Sequence, residues 1–385
     1  MRRLGRVLAI LFLAVAILGF AKRDQIARLH AAMTLFDQDK IVGNFSHMDR
    51  MFASTQLLSP PHQPSPLPKA PHPLTSPAGL EDWVAQRNIT ALMVLHKGEV
   101  AFEDYYQGTG PEDLRVSWSM AKSFLATLLG FSLLDGSIAS IEDPVTKYAP
   151  ELKGSAYDGA TIRNVLHMAS GVEFNEDYLD FWSDINKMGR IIATSGSLDD
   201  FTAGLKTRSR PPGEAFHYVS MDTHVIGMVL RGATGRSIPD LMNERVITPL
   251  HLERDPYYLT DSTGTAFVLG GLNMTTRDYA RFGQMILQDG HWQDRALVPE
   301  TWIREMTADS APRGDDAEHY GYQWWLPHDA RPGEFYARGV YGQYIWFDRA
   351  AETVIVVNAA DTGFAGEGVH DQNMAMMRAL VRATQ

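Results

Sequence analysis

The chain contains no cysteine. That one absence excludes a disulfide scaffold, a cysteine nucleophile, zinc-thiolate and iron–sulfur sites, and a lipidated cysteine. It also lacks the common catalytic and cofactor signatures: no G-x-S-x-G elbow, no G-K-[ST] phosphate loop, no G-x-G-x-x-G and no H-E-x-x-H. The 13 histidines are scattered without metal-ligand spacing, so no metal or cofactor is expected. Positive charge is scarce, with a formal net charge of -11, and nucleic acid is not an expected partner. What remains is an ordinary globular composition over 385 residues, 45% hydrophobic and 21% charged. Covalent chemistry in such a chain falls to Ser, Thr, Lys, Asp or Tyr.

The N-terminus has the shape of an export segment. Arg2, Arg3 and Arg6 precede an uncharged apolar run from Val7 to Ala21, which Lys22 and Arg23 close. Gly19 and Ala21 suit a cleavage site, whereas the following Lys-Arg pair suits an uncleaved membrane anchor, and both readings of 1–21 stand. The location expected is outside the cytoplasm, periplasmic or anchored in the inner membrane facing the periplasm. Residues 22–80 read as an amphipathic helix (Ile26, Leu29, Met33, Phe36), an irregular tail and a proline-rich stretch. Eight of the 20 prolines fall between Pro60 and Pro77, which forbids a helix or central strand. Either a stiff linker or an arm lying against the body fits that composition.

In the body, 81–385, the apolar period changes twice. Ala91–Leu95 and Val100–Tyr106 around His96-Lys97-Gly98-Glu99 read as a hairpin. Phe124–Leu133, Thr161–Met168 and Thr223–Ala233 carry helical spacing, and helices dominate the middle of the chain. Strand patterns return at Tyr322–Leu326, Tyr344–Phe347 and Thr353–Val357, before a helix over His370–Ala383. The fold class expected is α+β: an antiparallel sheet built from both chain ends with flanking helices, plus an inserted all-helical lobe over roughly 125–310.

Three short elements carry chemistry. Ser119-Met120-Ala121-Lys122 is the only Ser-x-x-Lys in the chain, at the start of an apolar helix read as Met120–Leu134. There i and i+3 share a face, and the free N–H groups and positive end of the helix favour an alkoxide and an uncharged lysine. Pro211-Pro212-Gly213 then delivers Tyr218 and Ser220 just before another helix. A phenol beside Ser and Lys can serve as base, or as acid to a leaving group, once a nearby cation lowers its pKa from about 10. Finally, the glycines of Ala337-Arg338-Gly339-Val340-Tyr341-Gly342-Gln343 open a strand where backbone can approach a ligand and donate an N–H.

In this order and spacing the three elements resemble the penicillin-recognising serine hydrolases, the family of class C beta-lactamases, D-alanyl-D-alanine carboxypeptidases, related esterases and 6-aminohexanoate-dimer hydrolases. Further matching landmarks are Asp143-Pro144-Val145, Tyr148, Pro150, Thr161-Ile162-Arg163, Met168–Val172, Gly270-Gly271-Leu272 and Arg277-Asp278, so the resemblance spans about 85–385. It implies that Ser119 is acylated, that Lys122 accepts its proton and that Tyr218 passes it to the leaving group. The backbone N–H groups of Ser119 and Val340 would form the oxyanion hole. Class C beta-lactamases have Tyr-x-Asn and Lys-Thr-Gly where this chain has Tyr218-Val219-Ser220 and Ala337-Arg338-Gly339. An ester, a short linear amide or a short peptide is therefore the expected substrate, rather than a beta-lactam, with Ser220, Arg338 and Gly339 against it. Asp180, in the acidic cluster Asp177, Asp180 and Asp184, would suit an ammonium-bearing substrate or be a solvated face. A D-alanyl peptidase, a weak beta-lactamase and a non-catalytic cell-wall recognition module are the alternatives.

Overall fold

A computed structural model describes residues 30, 32–193, 196–314 and 319–385. The export segment read at 1–21 lies outside the described residues, among which no helix is long and apolar enough to cross a membrane.

The main sheet has seven antiparallel strands. Their spatial order is Glu99–Tyr105, Ile89–His96, Thr353–Ala359, Gln343–Asp348, Glu334–Gly339, Trp325–Leu326 and His319–Tyr320. The hairpin from one end of the chain thus pairs with strands from the other, through Ile355 opposite Val94 and Val357 opposite Leu92. Period-2 alternation divides the strands between two cores. Leu92, Val94, Tyr344, Trp346, Ile355 and Val357 face an outer layer containing Trp83, Met377 and Leu380. Met93, Leu95, Ile345, Phe347, Val354 and Val356 face the main core. The helices Leu80–Gln86 and Val369–Ala383 supply the outer layer, which closes that face of the sheet.

On the other face lie the helices Ala121–Leu134 and Thr276–Leu287, locked together by Phe124 and Phe282, whose rings stack at 3.6 Å. Gly283 lets the second helix approach the sheet, since a Cβ there would meet Val354 Cγ1 at 2.7 Å. The helical middle of the chain is present as expected, and it carries strands that hydropathy did not announce. Tyr257–Leu259 and Leu272–Met274 join Ser54–Gln56 and Arg115–Val116 in a second, four-stranded sheet. Each of these strands is only two or three residues long, too short for alternation to register.

That small sheet decides what 22–80 does. Leu35, Ile41, Phe45, Met48, Met51 and Leu57 belong to the main core, and Ser54–Gln56 pairs with Tyr257–Leu259. The buried Arg115 guanidinium ties this arm to the sheet, donating to the Val42 carbonyl at 3.1 Å and to Thr90 Oγ1 at 2.9 Å. The proline stretch also lies along the body: Ala70 N–H donates to the Val100 carbonyl and Leu74 N–H to the Ala101 carbonyl. Of the two arrangements that composition allowed, the described residues adopt the arm rather than the free linker. The change in composition at Pro60–Pro77 is no break in packing.

Candidate active site

Ser119 sits in a single 3-10 turn, Trp118–Met120, which runs into the Ala121–Leu134 helix. The α-helix therefore starts two residues after the serine rather than around it. Trp118 takes a left-handed backbone, φ 43°, which turns the chain sharply from the Arg115–Val116 strand and leaves Ser119 half-exposed at the corner. Lys122 follows in the first helical turn and is 2% exposed. Burial holds its ammonium down to about 8, against the opposing pull of Glu176 and Asp222.

The second helix, Ser220–Thr234, meets the first at this point. Gly213, φ 83°, turns the Pro-Pro-Gly segment, and its N–H donates to the Ala169 carbonyl, while His217 N–H donates to the Met168 carbonyl. The chain then delivers Tyr218 beside the serine, whose hydroxyl acts on the phenol. The Tyr218 ring stacks on Trp325 at 5.4 Å, and Lys122 Nζ lies 5.2 Å from its centroid. Burial pushes the Tyr218 phenol above its ordinary value, and Glu176 pushes it further. This corrects the expectation of a phenol lowered by a neighbouring cation. Tyr218 is held neutral, able to pass a proton but not to stand as phenolate.

Ser220 is fully buried, and its role also differs from the one expected. Its Oγ accepts from Lys122 Nζ at 3.1 Å and donates to Glu176 Oε2 at 3.2 Å, and its N–H donates to Glu176 Oε1. The hydroxyl is spent inside the protein rather than offered to a substrate, and it links the lysine to a carboxylate. Tyr178 donates to the same Glu176 Oε2 at 3.1 Å. Behind the lysine, Asp222 is buried and pushed up to about 7 by burial, with Ser170 and Tyr157 donating to its Oδ1 at 2.7 and 2.9 Å.

Gly339 closes one strand, and Val340, Tyr341 and Gly342 form a three-residue loop before Gln343 reopens the next. A Cβ on Gly339 would stand 2.5 Å from the Ser117 carbonyl and 3.1 Å from Ser119 N. Only glycine lets this strand end, one residue before Val340, lie against the Ser117–Ser119 backbone. Arg338 pairs across the ladder with Tyr344, on the outer-layer face; its Cζ lies 5.9 Å from the Trp325 ring, and its charge reaches Tyr218. Asp180 is occupied locally, its Oδ1 accepting from Trp182 N–H and its Oδ2 from Asn175 Nδ2 at 3.5 Å. Asp177 and Asp184 likewise accept backbone N–H bonds within the same loop. The structure thus brings Ser119, Lys122, Tyr218, Ser220, Gly339 and Val340 to one cleft, with Arg338 reaching it by its charge, and leaves the aspartates in a turn at its rim.

Sequence reasoning missed Glu176 and Trp325. A lone glutamate beside three aspartates carries no signal that it alone turns inward, and Trp325 lies far along the chain from Tyr218, on which it stacks.

A family model described as beta-lactamase matches residues 80–375. The chain belongs to the beta-lactamase family. Within that family it is 31% identical over 291 residues to the 6-aminohexanoate-dimer hydrolase of Paenarthrobacter ureafaciens, covering 72% of this chain and 74% of the relative. Among solved structures, one from Bacillus anthracis, provisionally named a 6-aminohexanoate-dimer hydrolase, superposes with a TM-score of 0.82. It is 23% identical, over 90% of this chain and 95% of that one. EstCE1, a hydrolase with promiscuous acyltransferase activity, shares the fold at a TM-score of 0.60 and 14% identity, over 79% of this chain and 96% of its own. This beta-lactamase-family chain is accordingly a serine hydrolase of amide or ester bonds, similar to 6-aminohexanoate-dimer hydrolase.

Proposed function

We propose that the chain hydrolyses esters and short linear amides through an acyl-enzyme on Ser119. The observation that carries this reading is the meeting of three groups in the cleft: Ser119 beside Tyr218, and Lys122, its Nζ 5.2 Å from the Tyr218 ring centroid, held by Ser220, buried and partly uncharged near neutral pH. Ser119 Oγ attacks the carbonyl carbon as its proton moves into the Tyr218–Lys122 pair. The N–H groups of Ser119 and Val340 receive the developing oxyanion. The pair then returns the proton to the departing alcohol or amine, leaving an ester on Ser119. Water, deprotonated by the same pair, releases the acid and regenerates the serine. Neutral Tyr218 accepts one proton as it gives another, so no phenolate is needed.

The substrate class follows from two features. Ala337 stands where the beta-lactamase strand motif has its lysine, and the Ser220 hydroxyl is engaged with Lys122 and Glu176. A linear acyl group with a simple amine or alcohol leaving group suits this site better than a fused ring carrying a carboxylate. The deciding experiment is fluorophosphonate labelling of purified protein with mapping of the modified residue, beside turnover of short p-nitrophenyl esters, aminohexanoate dimer, D-alanyl peptides and nitrocefin. Labelling at Ser119 with ester or dimer turnover is expected, and labelling at another residue rejects the proposal. Export of the chain, cleaved or anchored through 1–21, belongs to the same proposal and rests on the basic-then-apolar pattern of Arg2 to Ala21.

Glu176 tunes this site. Its carboxylate favours the charged form of Lys122, so removing it should lower the lysine pKa below about 8. Activity that needs uncharged lysine rises as pH passes upward through that pKa. In Glu176→Gln the acidic limb of the kcat/KM profile should therefore move to lower pH, with the Ser220 N–H bond kept by the amide oxygen. A limb that stays in place while kcat falls would mean that Glu176 only braces the helix.

A further inference from the structure

Large apolar side chains exposed singly are ordinary, whereas a cluster of them is not. Among the described residues seven are conspicuously exposed, and five come from two short segments, Met33 and Phe36 in the arm and Leu179, Phe181 and Trp182 just after Tyr178. Leu179 is 93% exposed and Trp182 72%. Ring contacts join the two segments into one aromatic rim. Phe36 stacks on Tyr341 at 5.0 Å, Tyr341 lies 5.0 Å from Phe364, and Phe364 lies 6.4 Å from Tyr178, next to Leu179. The outermost pair is held in place: Phe181 and Trp182 meet edge to face at 4.9 Å, and the Arg190 guanidinium packs 4.4 Å from the Phe181 ring.

The N-terminal end of the chain points to what covers this rim. The described arm begins at His30, six residues before Phe36 and so beside the rim. Residues 22–29, eight in number, can span at most about 28 Å even fully extended. An apolar run ending at Ala21 thus stays within that reach of His30.

We propose that the aromatic rim docks on a zwitterionic phospholipid bilayer, so that the cleft opens at the membrane surface. This rests on the reading of 1–21 as an uncleaved anchor. Trp and Phe flanked by an arginine suit the headgroup boundary, where apolar rings sink and a guanidinium stays wet. Asp177 and Asp180 lie in the same loop, and Asp184 opens the helix that follows, paired with Lys187 Nζ at 2.9 Å. The two loop carboxylates repel anionic lipid, which selects phosphatidylcholine or phosphatidylethanolamine over acidic headgroups. The substrates that reach Ser119 by this route are amphiphilic esters or amides that partition into the interface.

The absence of cysteine makes the test direct. Leu179→Cys in the full chain carries one polarity-sensitive fluorophore at the rim, and Leu134→Cys carries it at the exposed far end of the Ala121–Leu134 helix. Each protein is reconstituted with phosphatidylcholine vesicles, with and without bromine on the acyl chains. Flotation with the vesicles is expected for both. The probe at 179 should shift to the blue and be quenched by the brominated chains, and the probe at 134 should do neither. Flotation with an unshifted probe at 179 overturns the docking while leaving the anchor intact, and equal shifts at both positions overturn it as non-specific adsorption. Failure to float overturns both. A blue shift at 179 that appears only on adding a second protein, never with lipid, assigns the rim to a protein partner and rejects the proposal.

Discussion

Ser119→Ala abolishes turnover of every ester and amide the wild type hydrolyses, a fall of roughly five to six orders of magnitude in kcat. The size follows from the loss of the covalent step itself, since the cleft holds no second hydroxyl so placed. Ser117 is buried and its hydroxyl donates to the Trp118 carbonyl, and the Ser220 hydroxyl is held between Lys122 and Glu176. The substitution is also structurally mild. Ser119 is half-exposed in a 3-10 turn, and the turn's N–H···O bond from Met120 to Ser117 is backbone only. Progress curves and fluorophosphonate labelling measure the outcome together, with thermal unfolding confirming an unchanged fold. Turnover within tenfold of wild type would remove Ser119 from the chemistry.

Lys122→Met should cost about three to four orders of magnitude, the upper range for losing a placed general base. Methionine keeps the length and apolar stem of a side chain that is otherwise packed into the core, so the comparison isolates the amine. The wild-type kcat/KM should rise with pH through an apparent value near 8, as the buried ammonium loses its proton. The variant's residual activity should lack that limb. Its direction is fixed by the mechanism: the uncharged amine is the active form, so acid silences the enzyme and base restores it. A wild-type profile that falls across the same range would place the working lysine in its charged form.

The parts of this site legible in the sequence were those whose geometry is local. Ser119 and Lys122 are three residues apart, and Tyr218 and Ser220 follow a Pro-Pro-Gly turn that had to deliver something. The long strands were legible because Tyr344–Phe347 and Thr353–Val357 are apolar runs between turns, and the structure extends them by only a residue or two. What stayed hidden depends on contacts between distant segments. Glu176 acts on Lys122 through Ser220, three segments that no periodicity relates. The raised pKa of Tyr218 comes from burial, which a sequence with a lysine nearby misrepresents as a lowered one. The arm was hidden for the opposite reason, because prolines that cannot join a ladder still leave neighbouring residues free to bond along an edge, as Ala70 and Leu74 do.

The pairing of Ile89–His96 with Thr353–Ala359 also sets a clock. The central ladder of the main sheet joins the first long strand to be synthesised to the last. Until the ribosome has made nearly the whole polypeptide, that strand has one partner, Glu99–Tyr105, and an open edge. Contacts of such long sequence separation are slow to close, and an unpaired apolar edge is a site for aggregation meanwhile. The chain is thus obliged to be nearly finished before the central ladder of its main sheet can close.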